Sequence, residues 1–297
     1  MPGLIMNAFA DFRREVIAVE GIEIHLARAG SGNPLLLLHG YPQTHWMWHK
    51  IAPWLATDFT VIATDLRGYG DSAKPIGEVD HRNYSKRVMA RDQVNVMTQL
   101  GYEQFAVVGH DRGARVAHRM VLDYPDRVSK LALLDIIPTA ELYATIDQTL
   151  ATAYYHWFFL IQPSPLPETL IGANPQYYLQ QCLKRWSYDF SAFTPAALAE
   201  YQRCFQDPAT IHATCEDYRA AATIDLIHDH HDRAQRITCP LLVLWGNQGI
   251  IGRKYEVLSI WQQRAIAAQG NALPCGHFLP EETPQETYQA LRKFLLA

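Results

Sequence analysis

The sequence predicts an α/β fold with a mostly parallel central sheet, helices on both of its faces and a helical insertion. Short apolar runs bounded by Pro or Gly, such as residues 35–38 in "NPLLLLHG", are typical of strands that are buried on both faces. Amphipathic stretches separate these runs, as expected for the crossover connections of a parallel sheet. One long segment, residues 138–236, has no such run and interrupts the pattern.

The predicted elements follow one another in chain order. Residues 22–27 alternate between apolar and polar side chains, which favours an edge strand. Buried strands are predicted at residues 35–38, 59–65, 105–111, 130–136 and 239–246, with a shorter candidate at 272–274. Helices are predicted at residues 44–55 and 85–100, directly after residue 110, and at 285–296.

The composition changes after Ile137 and changes back near Arg236. The intervening segment is rich in Tyr, Trp, Gln and Pro, and it contains helical runs such as "PAALAEYQRCF". We therefore predict an α/β core domain formed by residues 1–137 and 237–297, and a helical cap domain formed by residues 138–236.

Composition excludes several functional classes. The net charge of −4 over 297 residues provides no basic surface for nucleic acid. No apolar run has the length of a membrane span, and the N-terminal segment does not resemble a signal peptide. The five cysteines are scattered and form no C-x-x-C pair, so we expect reduced thiols and a cytoplasmic protein.

The segment Gly109-His110-Asp111-Arg112-Gly113 follows a predicted buried strand and opens a predicted helix. Small residues two positions on either side of a nucleophile are typical of the sharp strand-to-helix turn in α/β-hydrolases. Asp111 occupies the position that serine commonly holds there. The alternative is that Asp111 only caps the helix, a role that aspartate fills well.

Two further segments complete a candidate catalytic set. "HGYP" ends the strand at residues 35–38, and the loop after that strand donates a backbone N–H to the oxyanion hole in this architecture. We assign that donor to Tyr41, together with the N–H of Arg112. His277 follows the last predicted strand, so the nucleophile and the histidine stand in the chain order of this fold.

The acid that orients His277 is assigned to Asp135. The loop after the strand at residues 239–246 contains no carboxylate at positions 247–250, where many of these enzymes carry the acid. Asp135 ends the strand before the insertion and is the remaining candidate. Its alternative role is to cap a loop.

An aspartate nucleophile selects a particular chemistry. A carboxylate is a competent nucleophile at sp³ carbon, where it displaces a leaving group and forms an ester. A water activated by His277 would then hydrolyse that ester, with the oxyanion hole stabilising the tetrahedral species. The motif therefore indicates dehalogenation or epoxide opening.

Arg112 and Arg115 lie three positions apart, on one face of the predicted helix. Cations at a helix N-terminus oppose the helix dipole at a cost of about 0.3–1 kcal/mol each, which suggests a functional reason for their presence. We predict that they bind the carboxylate of an anionic substrate, because guanidinium groups bind carboxylates through two parallel hydrogen bonds. The alternative is that they only balance Asp111 or pair with other carboxylates.

Six segments together resemble the fluoroacetate dehalogenase (haloacetate dehalogenase) family of α/β-hydrolases. They are "LLLLHGYPQTHWMWHKIAP", "VVGHDRGARVAHRM", "LLDIIPT", "YHWFFLIQPSPLPE", "CEDYRA" and "GHFLPEE". The resemblance covers nearly the whole chain. It implies that Asp111 is the nucleophile, His277 the base and Asp135 its partner, and that Arg112 and Arg115 bind the substrate carboxylate.

The same resemblance assigns a halide site within the insertion, formed by His156, Trp157 and Tyr218. Imidazole, indole and phenol each supply a hydrogen-bond donor, and three converging donors would stabilise a departing fluoride. Without the family, an aromatic run such as "YYHWFF" is typical of core packing. The resemblance further implies a homodimer.

The leading hypothesis is hydrolysis of a haloacetate to glycolate and halide, with no cofactor and no metal. An epoxide hydrolase that uses the same Asp/His pair, with Tyr154, Tyr155 or Tyr218 as proton donor, is the second hypothesis. A ligand receptor without catalytic activity is the third. We predict that the histidine tract at residues 227–232 is a solvated turn and no metal site, because its spacing on a loop does not fix a ligand geometry.

Overall fold

Eight strands form a single sheet at the centre of the structure, a computed structural model that describes residues 9–297. The expectation about a signal peptide and the start of the predicted core domain rest partly on residues 1–8, which lie outside the described residues. In chain order the strands are β1 (Arg13–Val19), β2 (Ile22–Ala29), β3 (Asn33–Leu38), β4 (Phe59–Thr64), β5 (Phe105–His110), β6 (Val128–Leu134), β7 (Leu241–Gly246) and β8 (Ala268–Leu273).

The spatial order of the strands is β1-β2-β4-β3-β5-β6-β7-β8. β1 pairs with β2 and β2 with β4 in antiparallel fashion, and every later pair is parallel. The predicted α/β fold with a mostly parallel sheet is therefore confirmed. Because the carboxyl ends of parallel strands meet at one edge, the segments after β3, β5, β6 and β8 converge there.

Two strand predictions need correction at the margins of the sheet. The strand predicted at the edge is β2, which lies inside the sheet because β1 covers it. β1 was missed although it contains a short apolar run at residues 16–19, because the run follows three charged residues and its side chains are mostly exposed or half-buried. β8 is longer than its candidate at residues 272–274, and its exposed positions hide it in the same way.

The helices that flank the sheet belong to both halves of the chain. They are α1 (Ala52–Leu55), α2 (Lys86–Gln99) and α3 (Asp111–Asp123) before the insertion, and α12 (Ile250–Lys254), α13 (Val257–Arg264), α14 (Leu279–Glu282) and α15 (Pro284–Leu296) after it. The helix predicted at residues 44–55 is instead a 3₁₀ turn, His45–Trp48, followed by the single turn of α1. Pro53 in the first turn of α1 explains the break, because proline cannot donate a hydrogen bond to a preceding turn.

The segment between β6 and β7 contains helices and no strand. Its helices are α4 (Thr139–Ala144), α5 (Gln148–Ala153), α6 (Tyr155–Phe159), α7 (Leu166–Gly172), α8 (Pro175–Trp186), α9 (Pro195–Phe205), α10 (Pro208–Ala222) and α11 (Ile224–His231). α8, α9 and α10 each begin with proline after a side-chain cap, from Asn174, Thr194 and Asp207 respectively. This arrangement satisfies the first free N–H groups of each helix and fixes its start.

None of the helices in residues 9–297 combines the length and the apolar character that crossing a bilayer requires.

Candidate active site

Asp111 stands at the turn between β5 and α3 with a φ of +46°. The residues around it must be small because the chain approaches itself closely. A Cβ at Gly109 would lie 2.6 Å from Cα of Ala114, and a Cβ at Gly113 would lie 2.4 Å from the carbonyl oxygen of His39. The spacing of the two glycines around Asp111 is therefore a steric requirement of the turn.

The two oxygens of the Asp111 carboxylate have different environments. The backbone N–H of Tyr41 donates to Oδ1 at 2.9 Å, while Oδ2 lies 3.8 Å from Nε2 of His277. Burial would raise the pKa of Asp111, but its electrostatic interactions with His277, His110, Arg112 and Arg115 outweigh burial and lower that pKa. Asp111 is thus ionised at neutral pH, with one oxygen bound and one directed at the histidine.

His277 is held by Asp135 from its other side. Nδ1 of His277 lies 2.6 Å from Oδ2 of Asp135, and the backbone N–H of Gly246 donates to Oδ1 of Asp135 at 2.9 Å. Burial would lower the pKa of His277, but the hydrogen bond and charge of Asp135 and the charge of Asp111 raise it. The structure therefore brings Asp111, His277 and Asp135 together from three strand ends.

Two neighbours hold the backbone around His277. Its N–H donates to the carbonyl oxygen of Trp186 in the insertion at 2.9 Å. Its own carbonyl oxygen lies 2.7 Å from Nε2 of His110. His110 and Trp186 were not singled out from the sequence, because nothing in their local spacing distinguishes them from other buried aromatic side chains.

Arg112 and Arg115 differ in their partners although both are almost fully buried. Arg112 forms a two-point ion pair with Asp217 of α10: Nε donates to Oδ2 at 2.9 Å and Nη2 to Oδ1 at 2.7 Å. Nη1 of Arg112 has no hydrogen-bond partner within residues 9–297. The alternative drawn from the sequence was that the arginines pair with other carboxylates. It holds for two of the three nitrogens of Arg112, Nε and Nη2.

Arg115 has no carboxylate partner among the ion pairs of the described chain. Its Nη1 donates to the carbonyl oxygen of Ile137 at 3.0 Å and to the hydroxyl of Thr139 at 2.9 Å, and its Nε is without a partner. Burial and the charge of Arg112 lower its pKa, because both disfavour a second positive charge. Arg115 therefore carries a buried positive charge that an anion would balance.

Three aromatic residues of the insertion stand beside the arginines. The guanidinium carbon of Arg112 lies 4.1 Å from the ring centroid of Tyr218, and that of Arg115 lies 4.6 Å from the ring centroid of Trp157. The ring of His156 lies 5.6 Å from that of Tyr218. Tyr218, which is distant in sequence, thus contacts the neighbouring residues His156 and Trp157, and all three are almost fully buried.

Both ionisable members of this aromatic group are neutral. Burial lowers the pKa of His156 to about 3, and burial raises the pKa of Tyr218 well above its usual value. A neutral imidazole, an indole and a phenol each retain an N–H or O–H donor. The group can therefore donate hydrogen bonds to an anion without contributing a net charge.

A cavity of about 580 Å³ opens beside His277. Tyr154 and Trp186 of the insertion and Gly249 of the core line it, and the exposed guanidinium groups of Arg185 and Arg253 lie at its wall. The cavity is thus lined by residues of both the insertion and the core, and it reaches His277.

The residue at this site that sequence reasoning missed is Asp217. It precedes Tyr218 in "CEDY", but an acidic pair in a helix gives no sign that the partner of one member is an arginine of another element. Lys86 of α2 and Tyr69, after β4, also contact Asp217. Only the folded structure brings these residues to one carboxylate.

The prediction that residues 227–232 form a turn is wrong, because most of this tract belongs to helix α11. His231 is exposed and contacts the neighbouring Asp232. Within residues 9–297, the histidine–carboxylate group with metal-like spacing is elsewhere: His25, His45 and Asp65. The Asp65 oxygens there already accept four hydrogen bonds, two of them from these imidazoles, so we assign the group a structural role.

Comparison with known proteins gives a consistent family. Residues 33–284 match the family described as alpha/beta hydrolase fold. A fluoroacetate dehalogenase from Burkholderia sp is 46% identical over 288 residues, covering 97% of this chain and 95% of that protein. A soluble epoxide hydrolase from Corynebacterium sp. (strain C12) is 35% identical and covers 93% of this chain and 94% of that protein.

A solved structure agrees with the fold. The crystal structure of ALR0039 from Nostoc sp PCC 7120, provisionally assigned as an alpha/beta hydrolase, is 69% identical with a TM-score of 0.96. The match covers 97% of this chain and 99% of that one. The resemblance inferred from the six sequence segments is confirmed by the relative that is 46% identical.

Proposed function

The chain belongs to the alpha/beta hydrolase fold family, and we propose that it hydrolyses the carbon–halogen bond of haloacetates through a covalent ester of Asp111. The relative named fluoroacetate dehalogenase supports this substrate class. The geometry around Asp111 supports the mechanism, which uses the residues of this chain alone.

Substrate binding would depend on the two arginines. The carboxylate of a haloacetate would balance the buried charge of Arg115 and accept a hydrogen bond from the free Nη1 of Arg112. The halogen would then point towards His156, Trp157 and Tyr218. This orientation presents the α-carbon to Oδ2 of Asp111, the oxygen that has no backbone donor.

In the first step Oδ2 of Asp111 attacks the α-carbon. A carbon–oxygen bond forms, the carbon–halogen bond breaks, and the halide leaves with the bonding electron pair. The N–H of Tyr41 holds Oδ1 and thereby orients the carboxylate for attack. The three aromatic donors stabilise the charge that develops on the halogen.

In the second step a water attacks Cγ of the Asp111 ester and gives a proton to Nε2 of His277. Negative charge collects on Oδ1, where the N–H of Tyr41 stabilises it. We also propose the N–H of Arg112 as the second donor. When the ester bond breaks, the glycolate oxygen takes the proton back from His277, and one oxygen of Asp111 now derives from water.

The single observation that carries the proposal is the arrangement of charges around Asp111. An ionised carboxylate with one oxygen held by a backbone N–H lies near an arginine that pairs with no carboxylate of the described chain. A nucleophile for sp³ carbon thus stands beside a site for an anion. A small haloacid satisfies both requirements in one molecule.

Epoxide hydrolysis is the second candidate, and the 35% identical soluble epoxide hydrolase favours it. Tyr154 and Tyr218 are buried near Asp111, whose charge helps to raise the pKa of each phenol, so either could protonate an opening epoxide. Tyr155 is half-buried and stands further out. A neutral epoxide, however, leaves the charge of Arg115 unbalanced, which is why we place this function second.

The test is to incubate the protein with fluoroacetate, chloroacetate and styrene oxide, and to follow halide release and diol formation. We expect halide and glycolate from the two haloacids. Diol formation alone would replace the proposal by the epoxide hydrolase. A single turnover in heavy-oxygen water should place the label in Asp111, and absence of that label would contradict the ester mechanism.

We further propose that the division into a core domain (1–137, 237–297) and a cap domain (138–236) describes this enzyme, with substrate bound between them. The contacts of Trp186 and Asp217 with core residues support that placement. The homodimer and the cytoplasmic location expected from the sequence stay predictions.

A further inference from the structure

Asp217 is a fully buried carboxylate to which the proposed mechanism gives no chemical step. It lies on α10 of the insertion, next to Tyr218. Its main partner is Arg112 of α3, which reaches both carboxylate oxygens and, through Nη2, its backbone carbonyl oxygen at 2.8 Å. One residue of the insertion therefore occupies two of the three nitrogens of this guanidinium group.

Two further groups hold Asp217 in place. Nζ of Lys86 forms an ion pair with Oδ1, and the hydroxyl of Tyr69 donates to Oδ2 at 2.6 Å. Burial alone would raise the pKa of Asp217, but the charges of Arg112 and Lys86 hold it below its usual value. The carboxylate is thus ionised and fixed from three directions by core residues.

This network determines what Arg112 offers to a ligand. With Nε and Nη2 bound to Asp217, Nη1 is the nitrogen that remains without a partner in the described chain. Because the guanidinium group is planar, it cannot rotate without breaking at least one of these two hydrogen bonds to Asp217. The guanidinium carbon also lies 4.1 Å from the ring centroid of Tyr218, the residue that follows Asp217.

We propose that Asp217 is a positioning residue for substrate recognition: it fixes Arg112 so that Nη1 faces the substrate carboxylate, and it sets Tyr218 beside it. The inference rests on the proposed function, because the group that Nη1 binds is the carboxylate of a haloacid. In this proposal Arg112 donates a hydrogen bond to the substrate carboxylate in a fixed direction. Arg115 supplies the positive charge that balances the carboxylate.

Two other roles for Asp217 make different predictions. A residue that only braces the fold would, when changed, lower activity towards every substrate alike. A residue that only neutralises Arg112 would, when made neutral, increase the attraction of the site for anions. A positioning residue would reduce anion recognition even though its neutralisation adds positive charge, so the sign of the effect separates the three.

The experiment compares chloroacetate with chloroacetamide, which has nearly the same shape and no charge. The measured quantity is the ratio of kcat/KM for the two substrates in the wild type, in Asp217→Asn and in Asp92→Asn. Asp92 is a matched control, because it forms a buried two-point ion pair with Arg67 at 2.7 and 2.8 Å outside the site. Thermal unfolding of all three proteins is measured alongside.

We expect the ratio to fall at least about tenfold in Asp217→Asn, mainly through KM for chloroacetate, and to stay unchanged in Asp92→Asn. An unchanged or increased ratio in folded Asp217→Asn overturns the inference while leaving haloacid hydrolysis intact. A wild type that releases no halide from either compound overturns the proposed function and this inference with it.

A milder variant decides the matter if Asp217→Asn does not fold. Tyr69→Phe removes one hydrogen bond from Asp217 and keeps every charge. We expect the ratio to fall roughly two- to tenfold, because the loss of a hydrogen bond to its charged carboxylate leaves Asp217 less firmly held. Tyr201→Phe, which removes a buried hydroxyl group that donates to Glu281, should leave the ratio unchanged. If Tyr69→Phe kept the same ratio as Tyr201→Phe and the wild type, the positioning role would be refuted.

Discussion

Nε2 of His277 lies 3.8 Å from Oδ2 of Asp111, beyond hydrogen-bond distance, while Nδ1 of the same ring lies 2.6 Å from Asp135. The histidine is therefore oriented by one carboxylate without blocking the other. Oδ2 keeps its lone pairs for attack on carbon.

Replacing His277 with alanine should separate the two steps. Alkylation of Asp111 needs no base, whereas removal of the general base should slow ester hydrolysis by a factor of roughly 10² to 10⁴. Intact-protein mass spectrometry after incubation with chloroacetate should show one added carboxymethyl group, located at Asp111 by peptide mapping. His49→Ala, a histidine equally buried at 6% exposure, should turn over without an adduct. An unmodified His277→Ala protein would contradict the two-step scheme.

Arg115 and Arg112 should respond differently to replacement by glutamine. Arg115→Gln should lower kcat/KM for chloroacetate by roughly 30- to 150-fold, because a desolvated charge-assisted pair contributes about 2–3 kcal/mol. Its stability should change little, since no carboxylate loses a partner. Arg112→Gln should in addition reduce the free energy of unfolding by about 3–5 kcal/mol, because Asp217 stays buried without its main counter-charge. If urea denaturation showed the same loss of unfolding free energy for both substitutions, the predicted difference between the two arginines would be wrong.

The pH dependence should change between the two steps. His277 acts as base only when neutral, and its pKa is raised above 6.5, so hydrolysis should be lost as the pH falls through that raised pKa. The pKa of Asp111 is lowered, so alkylation should persist in mildly acidic solution. Acid-quenched mass spectrometry of the wild type at about pH 5.5 should therefore show accumulated ester. No accumulation at any acidic pH would mean that His277 is not the base.

The coupling between Asp111 and His277 gives a second readout. The charge of Asp111 is one of the groups that raise the pKa of His277, and alkylation removes that charge. The pKa of His277 read from the pH dependence of ester hydrolysis should therefore be lower than the pKa that an NMR titration of the free enzyme gives. Coincident pKa values would contradict the electrostatic coupling of the two residues.

Tyr218→Phe should affect substrates according to the leaving group. Fluoride is the strongest hydrogen-bond acceptor of the halides, so loss of one donor should reduce turnover of fluoroacetate by roughly 10²-fold or more and that of bromoacetate much less. Tyr201→Phe is a suitable control, because Tyr201 is an equally buried tyrosine of the insertion that contacts Glu281. The same loss with both substrates would argue against a role at the halogen.

Gly109→Ala should destabilise the turn that carries Asp111. The added Cβ would lie 2.6 Å from both Cα of Ala114 and the carbonyl oxygen of Gly113, and such overpacking typically costs about 1–3 kcal/mol. Gly172→Ala, where a Cβ would meet nothing within 4 Å, should leave the unfolding midpoint unchanged or slightly raised. Denaturant unfolding of both variants, with activity measured in parallel, checks the prediction.

The sequence was most informative where a residue's environment is set by its neighbours in the chain. The strand ending before Asp111 begins with an apolar run at residues 105–108, because parallel strands are covered on both faces. The edge strand β8 lacks that signal and was found only in part, and β1 was missed because its short apolar run follows three charged residues.

The sequence was least informative about partners that are distant in the chain. Asp217 and Arg112 are 105 positions apart, and neither position indicates the other. The proximity of Asp135 to His277 could be argued only because both follow strands of one parallel sheet. That two residues lie at neighbouring strand ends can be inferred from chain order. The pairing of Asp217 on α10 with Arg112 on α3 depends on how the whole insertion packs on the core.

The ion pair between Asp217 and Arg112 restricts how such enzymes can be recombined. A chimera that received residues 138–236 from a relative without an acid at this position would bury Arg112 with no counter-charge and would remove one of the two carboxylates that pair with Lys86. Exchange of the helical segment and exchange of the two cations must therefore occur together. In laboratory evolution of this scaffold, libraries that vary positions 86, 112 and 217 jointly should yield folded variants that single-site libraries miss.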